Sequence, residues 1–205
     1  MNNQETKKIA LFKKLCNLLD SMQWSIEMIN EAEKQSKLDA NYHKLLFPNG
    51  QTQLVQEFEN WLDTEMLNAL EKIEKPKKIR EQIALALETR IINLVSKNVI
   101  LKNSSFFMVP TNILAGNESA CQTCDLIWKY AGDKSTDFNY YTKRGLLLPV
   151  YLSAKTFYVA DNSKDHEKTK EFIKNALDNI INIASFKNRV NLPKMEDIPI
   201  LRLFS

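Results

Sequence analysis

Glycine is scarce in this chain of 205 residues, with only four, and proline stands at six. A β-sandwich or barrel needs many tight turns, so this scarcity favours long helices. Cysteine is scarce too. The three cysteines, Cys16, Cys121 and Cys124, cannot build a disulfide framework, and they read as reduced thiols of a cytoplasmic protein. Long hydrophobic runs are absent. The most apolar stretch, Leu146 to Leu152, is far shorter than the roughly 20 residues a membrane span requires. The first 24 residues do not read as a secretory signal, because Glu5 and Asp20 interrupt them and their apolar residues are spaced helically. The net charge of +3 demands no polyanionic partner, although it permits weak attraction to an anionic membrane.

The motifs of catalysis are missing as well. With two histidines, no G-x-S-x-G elbow and no glycine-rich phosphate loop, the chain nominates no catalytic residues and reads as a non-enzyme. Cys121 and Cys124 form a lone C-x-x-C without the second ligand pair a structural zinc needs, so both are expected as small core residues. A di-iron site in a helical bundle would use Glu-x-x-His pairs. Ala40 precedes His43 at that spacing, and Ser163 precedes His166. Neither a metal nor an organic cofactor is implied.

What is present is helical periodicity from end to end. Ile9, Phe12, Leu15, Cys16 and Leu19 share one face of a first helix. Ser25 can cap a second, and Asp39 a short third that ends at Pro48-Asn49-Gly50. A long fourth helix carries Leu54, Phe58, Trp61, Leu62 and Met66. Pro76 suits the first turn of a fifth, with Ile79, Ile83, Leu87, Ile91 and Leu94 in register. Phe106-Phe107-Met108 reads as a short helix or buried turn. Glu118 to Tyr130, Thr136 to Ala160 and Glu167 to Phe186 each read as a helix, and no segment alternates like a strand. The expected organisation is one all-α domain over 1–189, with a helix-turn-helix-like part (1–50) and a larger pocket-forming part (51–189). A tail (190–205) carries a possible membrane anchor.

The 25–46 segment has a helix-turn-helix layout similar to the N-terminal part of TetR regulators. Its candidate recognition helix, Asp39 to Leu46, holds one Asp against one Lys, and Glu27, Glu31 and Glu33 flank it. Phosphate contacts dominate DNA affinity, so the surface is a poor one for nucleic acid. Farther along, Asp137, Tyr141 and Arg144 fall at i, i+4 and i+7, with Tyr140 beside them. That mixture of charge and aromatics suits a protein contact face, with helix capping and ordinary surface charge as the alternative. The two tyrosines are adjacent, so a helix turns them about 100° apart and at least one should be exposed, along with Asp137 or Arg144. Beyond Gly145 the helix becomes apolar nearly all round and contains Pro149, which should kink it. Such a helix is either solid core or the wall of a cavity for an apolar ligand. Phe106, Phe107, Trp128, Leu148, Leu152 and Phe157 are the candidate lining residues.

The stretch Ala131-Gly-Asp-Lys-Ser-Thr-Asp-Phe-Asn-Tyr-Tyr-Thr-Lys-Arg144 resembles the A-G-D-x-S-T-D-F-N-x-Y-T-R/K-R block of the Coq-nine family of ubiquinone-biosynthesis accessory proteins. The Leu45–Gly50 turn and the contexts of Trp24 and Trp61 are similar as well, and the likeness extends from Leu11 to Phe186. The resemblance implies a TetR-like fold without gene regulation and a pocket for isoprenoid lipids such as quinone intermediates. It also implies docking of a di-iron quinone hydroxylase on Asp137, Tyr140, Tyr141 and Arg144. A peripheral position at the inner membrane, contact with the membrane surface and a homodimer formed through the last long helices complete what it implies. The competing expectation is a ligand-responsive transcriptional regulator.

Overall fold

The computed structural model describes the backbone of residues 3–135 and 138–189, with side chains through residue 180 apart from those of residues 138 and 139. Among these residues the secondary structure is helical and contains no strand. The chain folds as an all-α, TetR-like arrangement with a helix-turn-helix-like N-terminal part. The tail expected at 190–205 lies outside the described residues, as do Thr136 and Asp137.

The N-terminal part comprises α1 (Asn3–Leu18), α2 (Ile26–Gln35) and α3 (Tyr42–Leu46). Leu11, Phe12 and Leu15 of α1 are fully buried, and Phe12 packs edge-on against Phe58 of α4 (Gln51–Leu70) at 5.8 Å between ring centres. Ser25 caps α2 by accepting a hydrogen bond from the Met28 amide. The cap of α3 departs from expectation. Asp39 stands outside the helix, which begins at Tyr42, after Asn41 at a φ of +64°. Its free amides are instead satisfied from α2, because the buried Glu33 carboxylate accepts from the amides of Asn41 (3.0 Å) and His43 (2.6 Å). A charged residue that reads as surface thus fastens the two helices of the motif together.

Gly50, at a φ of +84°, makes the turn into α4. The next helix, α5, spans Ile79–Glu88, so Pro76 precedes it rather than occupying its first turn. At Thr89–Asn93 the chain widens into a π-helical turn that the apolar periodicity did not reveal. Then follow α6 (Lys97–Phe107), capped by Ser96, and a single 3-10 turn at Pro110–Asn112. Phe106 and Phe107 end α6 rather than forming an element of their own.

The larger part is completed by α7 (Ile113–Tyr130), α8 (Phe138–Ala160) and α9 (Glu167–Arg189). Pro149 lies inside α8, and the helix is continuous across it. A proline ring crowds the carbonyl four residues before it, here that of Gly145, which is exposed. In this part α7 packs against α4, α5 and α8, α9 packs against α5 and α8, and α6 packs against α7 and α8. The two cysteines of the C-x-x-C diverge: Cys124 is fully buried and Cys121 is exposed. Only one of them serves the core.

Candidate functional site

Two sites meet on α8. The first joins α8 to the preceding turn. Gly132 (φ +85°) lets the chain leave α7 and brings Asp133 beneath α8. The Asp133 carboxylate accepts from Arg144 Nη1 (2.9 Å), Lys143 Nζ (2.6 Å) and Ser135 Oγ (2.7 Å). Arg144 Nε also donates to Asp125 of α7 at 2.7 Å, and Tyr140 donates its hydroxyl to the same oxygen at 3.0 Å. The guanidinium carbon lies 3.5 Å from the centre of the Tyr140 ring. Burial works against an ionised Asp133, yet the hydrogen bonds from Lys143, Ser135 and Arg144 outweigh it and hold the carboxyl well below its usual range.

This geometry separates residues that the sequence placed on one face. Arg144 is buried, with 9% exposure, and acts as an internal clamp. Tyr140 is partly buried by its bonds to the clamp, whereas Tyr141 is 72% exposed. The rings meet edge to face at 5.1 Å. Asp137 lies outside the described residues.

The second site is a cavity of about 400 Å³ bounded by α4, α6, α7 and α8. Of the six candidate lining residues, Phe107 and Leu152 border it. Phe106 turns towards Trp24 instead, at 6.2 Å between ring centres. Trp128 donates to the Lys143 carbonyl at 3.1 Å, beside the clamp. Leu148 packs on the core, and Phe157 stacks on Phe172 of α9 at 4.9 Å. Gly116 sits where α7 crosses the end of α6, and a Cβ there would stand 2.6 Å from that of Phe107. Only glycine lets the two helices approach this closely. Met108 and Ile113, both exposed, form an apolar rim.

The inner wall is polar, which sequence reasoning missed. Arg90, on the π turn, is fully buried. It donates to Asp63 (2.7 Å) and Glu59 (2.5 Å) of α4. Glu59 further accepts from Asn103 at 2.6 Å, Asn103 accepts from Trp24 at 2.9 Å, and Thr123 donates to Asp63 at 2.9 Å. Glu59 lines the cavity together with Tyr151 and Lys155 of α8. Burial opposes the charge on Glu59, but Lys155, Arg90 and the Asn103 bond prevail and hold its carboxyl below the usual range. The available signal was a pair of acids at i and i+4 inside the apolar stripe of α4, with an arginine inside that of α5 and its extension. Among the described residues no cluster of His, Cys, Asp or Glu is arranged to hold a metal ion.

A sequence model of the COQ9 family matches residues 114–184, which take in α7, the clamp, α8 and most of α9. Over this segment the chain is similar to the COQ9 family. The family's probable ubiquinone biosynthesis protein of Dictyostelium discoideum is 28% identical over 193 residues, covering 89% of this chain and 62% of its own length. The human ubiquinone biosynthesis protein COQ9 is 27% identical over 176 residues, covering 82% of this chain and 55% of its own. Both are named as mitochondrial. The chain thus spans between 55% and 62% of the length of these COQ9 relatives. Both sites on α8 fall within the segment the family model matches, except for the cavity's contributions from α4 and α6 and from Met108 and Ile113.

Proposed function

We propose that this protein binds an isoprenoid lipid, a quinone intermediate of ubiquinone biosynthesis, and presents it to a di-iron quinone hydroxylase without itself catalysing a covalent step. The observation that carries this reading is the open, apolar-rimmed cavity beside α8 in a chain whose relatives are ubiquinone biosynthesis proteins. A prenylated ring is nearly insoluble, and each buried methylene contributes about 0.8 kcal/mol, so a partly enclosed tail is enough for binding. The hydroxylase would dock on the neighbouring exposed face around Tyr141.

No described helix is long and apolar enough to cross a membrane. The protein would therefore work peripherally at the inner-membrane surface, collecting its ligand there. A homodimer through α8 and α9 would follow the TetR habit. The regulator alternative is disfavoured because Glu33 and His43 of the helix-turn-helix are engaged with each other at 2.7 Å inside it. Mass spectrometry of lipids that co-purify with the native protein tests the reading. Recovery of a prenylated quinone precursor supports it, and protein free of any isoprenoid or phospholipid refutes it.

A further inference from the structure

Most of the buried charges at the cavity are satisfied from within. Glu59 and Asp63 share Arg90, and Asn103 and Thr123 take up their remaining acceptor positions. Arg90 Nη1 has no hydrogen-bond partner, and two groups on the cavity wall, the Tyr151 hydroxyl and Lys155 Nζ, also stand apart. The Tyr151 hydroxyl is buried and has no hydrogen-bond partner. Tyr151 is 1% exposed and Lys155 is 8% exposed, and both border the cavity. Lys155 Nζ makes no hydrogen bond or ion pair among the described residues, and its ammonium lies 5.3 Å from the centre of the Tyr151 ring. Buried donors are rarely left unpaired, because each carries its full desolvation cost. One helical turn separates residues 151 and 155, and both side chains border the same cavity.

The charge balance narrows the chemistry. Two carboxyl groups, Glu59 and Asp63, lie with two basic side chains, Arg90 and Lys155, so acids and bases in the cluster are equal in number. An anionic head group would add a charge with no counterion, whereas a neutral oxygen can accept hydrogen bonds without that penalty. The opposite end is apolar, with Phe107, Met108, Ile113 and Leu152 around the opening.

We infer that Lys155 and Tyr151 form a head-group site that hydrogen-bonds an uncharged carbonyl or hydroxyl oxygen on a ring, with the apolar tail directed outward past Phe107 and Leu152. This rests on the lipid-binding reading above and assigns the ligand's polarity and orientation within that cavity.

Three probes of equal tail length distinguish the sources of such an oxygen: a decyl-substituted benzoquinone, decylbenzene and decyl phosphate. Their affinities are measured by calorimetry on the wild type, Lys155→Met and Tyr151→Phe, with melting temperatures alongside. The wild type should prefer the quinone over decylbenzene by on the order of 10- to 100-fold. Lys155→Met should remove most of that preference and Tyr151→Phe part of it, while decylbenzene binds as before. Tyr151→Phe loses only an unpartnered hydroxyl, and Lys155→Gln supplies a second probe of the amine, so the test survives if the methionine variant fails to fold. A preference that persists in the variants, equal loss for both uncharged probes, or tighter lysine-dependent binding of decyl phosphate overturns the inference while leaving the lipid cavity standing. Failure of every probe to bind the wild type overturns the lipid-binding reading itself.

Discussion

Arg144 and Asp133 are held 2.9 Å apart, and through that contact the start of α8 is fastened to the turn that leaves α7. Asp133→Asn removes the charge that Arg144 and Lys143 both engage, leaving two cations short of a partner. Because the cluster is partly open to solvent, the loss should be about 1–3 kcal/mol at neutral pH, read as a lower melting temperature. The pH dependence has a definite sign. A folded-state carboxyl held below its unfolded value contributes stability that is complete above about pH 4 and fades as pH falls towards the folded value. The gap between wild type and variant should therefore be constant from neutral pH down to that range and close below it.

Tyr140 and Tyr141 should separate stability from partner binding. Tyr141→Ala removes an exposed ring and should weaken hydroxylase binding by about 1–4 kcal/mol with little change in melting temperature. Tyr140→Ala removes the bond to Asp125 and the surface on which Arg144 rests, so it should lower the melting temperature. Pull-down of the hydroxylase together with thermal melts checks both, and an unimpaired pull-down with Tyr141→Ala refutes the docking face.

Gly116 and Leu152 control the space in the cavity from opposite sides. Leu152→Trp should fill the opening and lower lipid recovery while the fold persists, since Leu152 is 42% exposed and the new ring has somewhere to go. Gly116→Ala should force Phe107 aside at a cost of about 1–3 kcal/mol. Outright unfolding of Leu152→Trp would mean that the space around it is packed solid.

Arg90 bridges two buried carboxyl groups of α4. Arg90→Met leaves Glu59 and Asp63 facing each other without it and should destabilise the fold by about 3–5 kcal/mol in chemical denaturation. Adding Glu59→Gln and Asp63→Asn to the same chain should recover part of that loss. A double-mutant cycle that finds the sites additive would refute the coupling.

The all-helical architecture was legible in the sequence because a buried stripe repeats every 3.6 residues whatever it packs against, and Phe12, Leu54, Phe58 and Leu62 are buried as that period requires. Ser25 was equally legible, since a cap acts on the amide three residues along its own chain. The cap of α3 was not, because Glu33 reaches it from another helix. Nor could spacing reveal that Arg144 turns inward, since its partners Asp125 and Asp133 lie 19 and 11 residues away and meet it only after α7 and α8 pair.

Periodicity alone thus determined which segments are helices and which stripe of each is apolar, and the block from Ala131 to Arg144 carried the family resemblance. Tertiary structure decided which side chains border the cavity and which close against the core. Phe107 and Leu152 face the space while Phe106 and Phe157 do not, although all four are apolar residues on helices. It also decided that Glu59, Arg90 and Lys155 would gather in one buried cluster. A charge inside an apolar stripe is stable only when an opposite charge from a distant part of the chain arrives beside it, and helix packing alone determines that meeting.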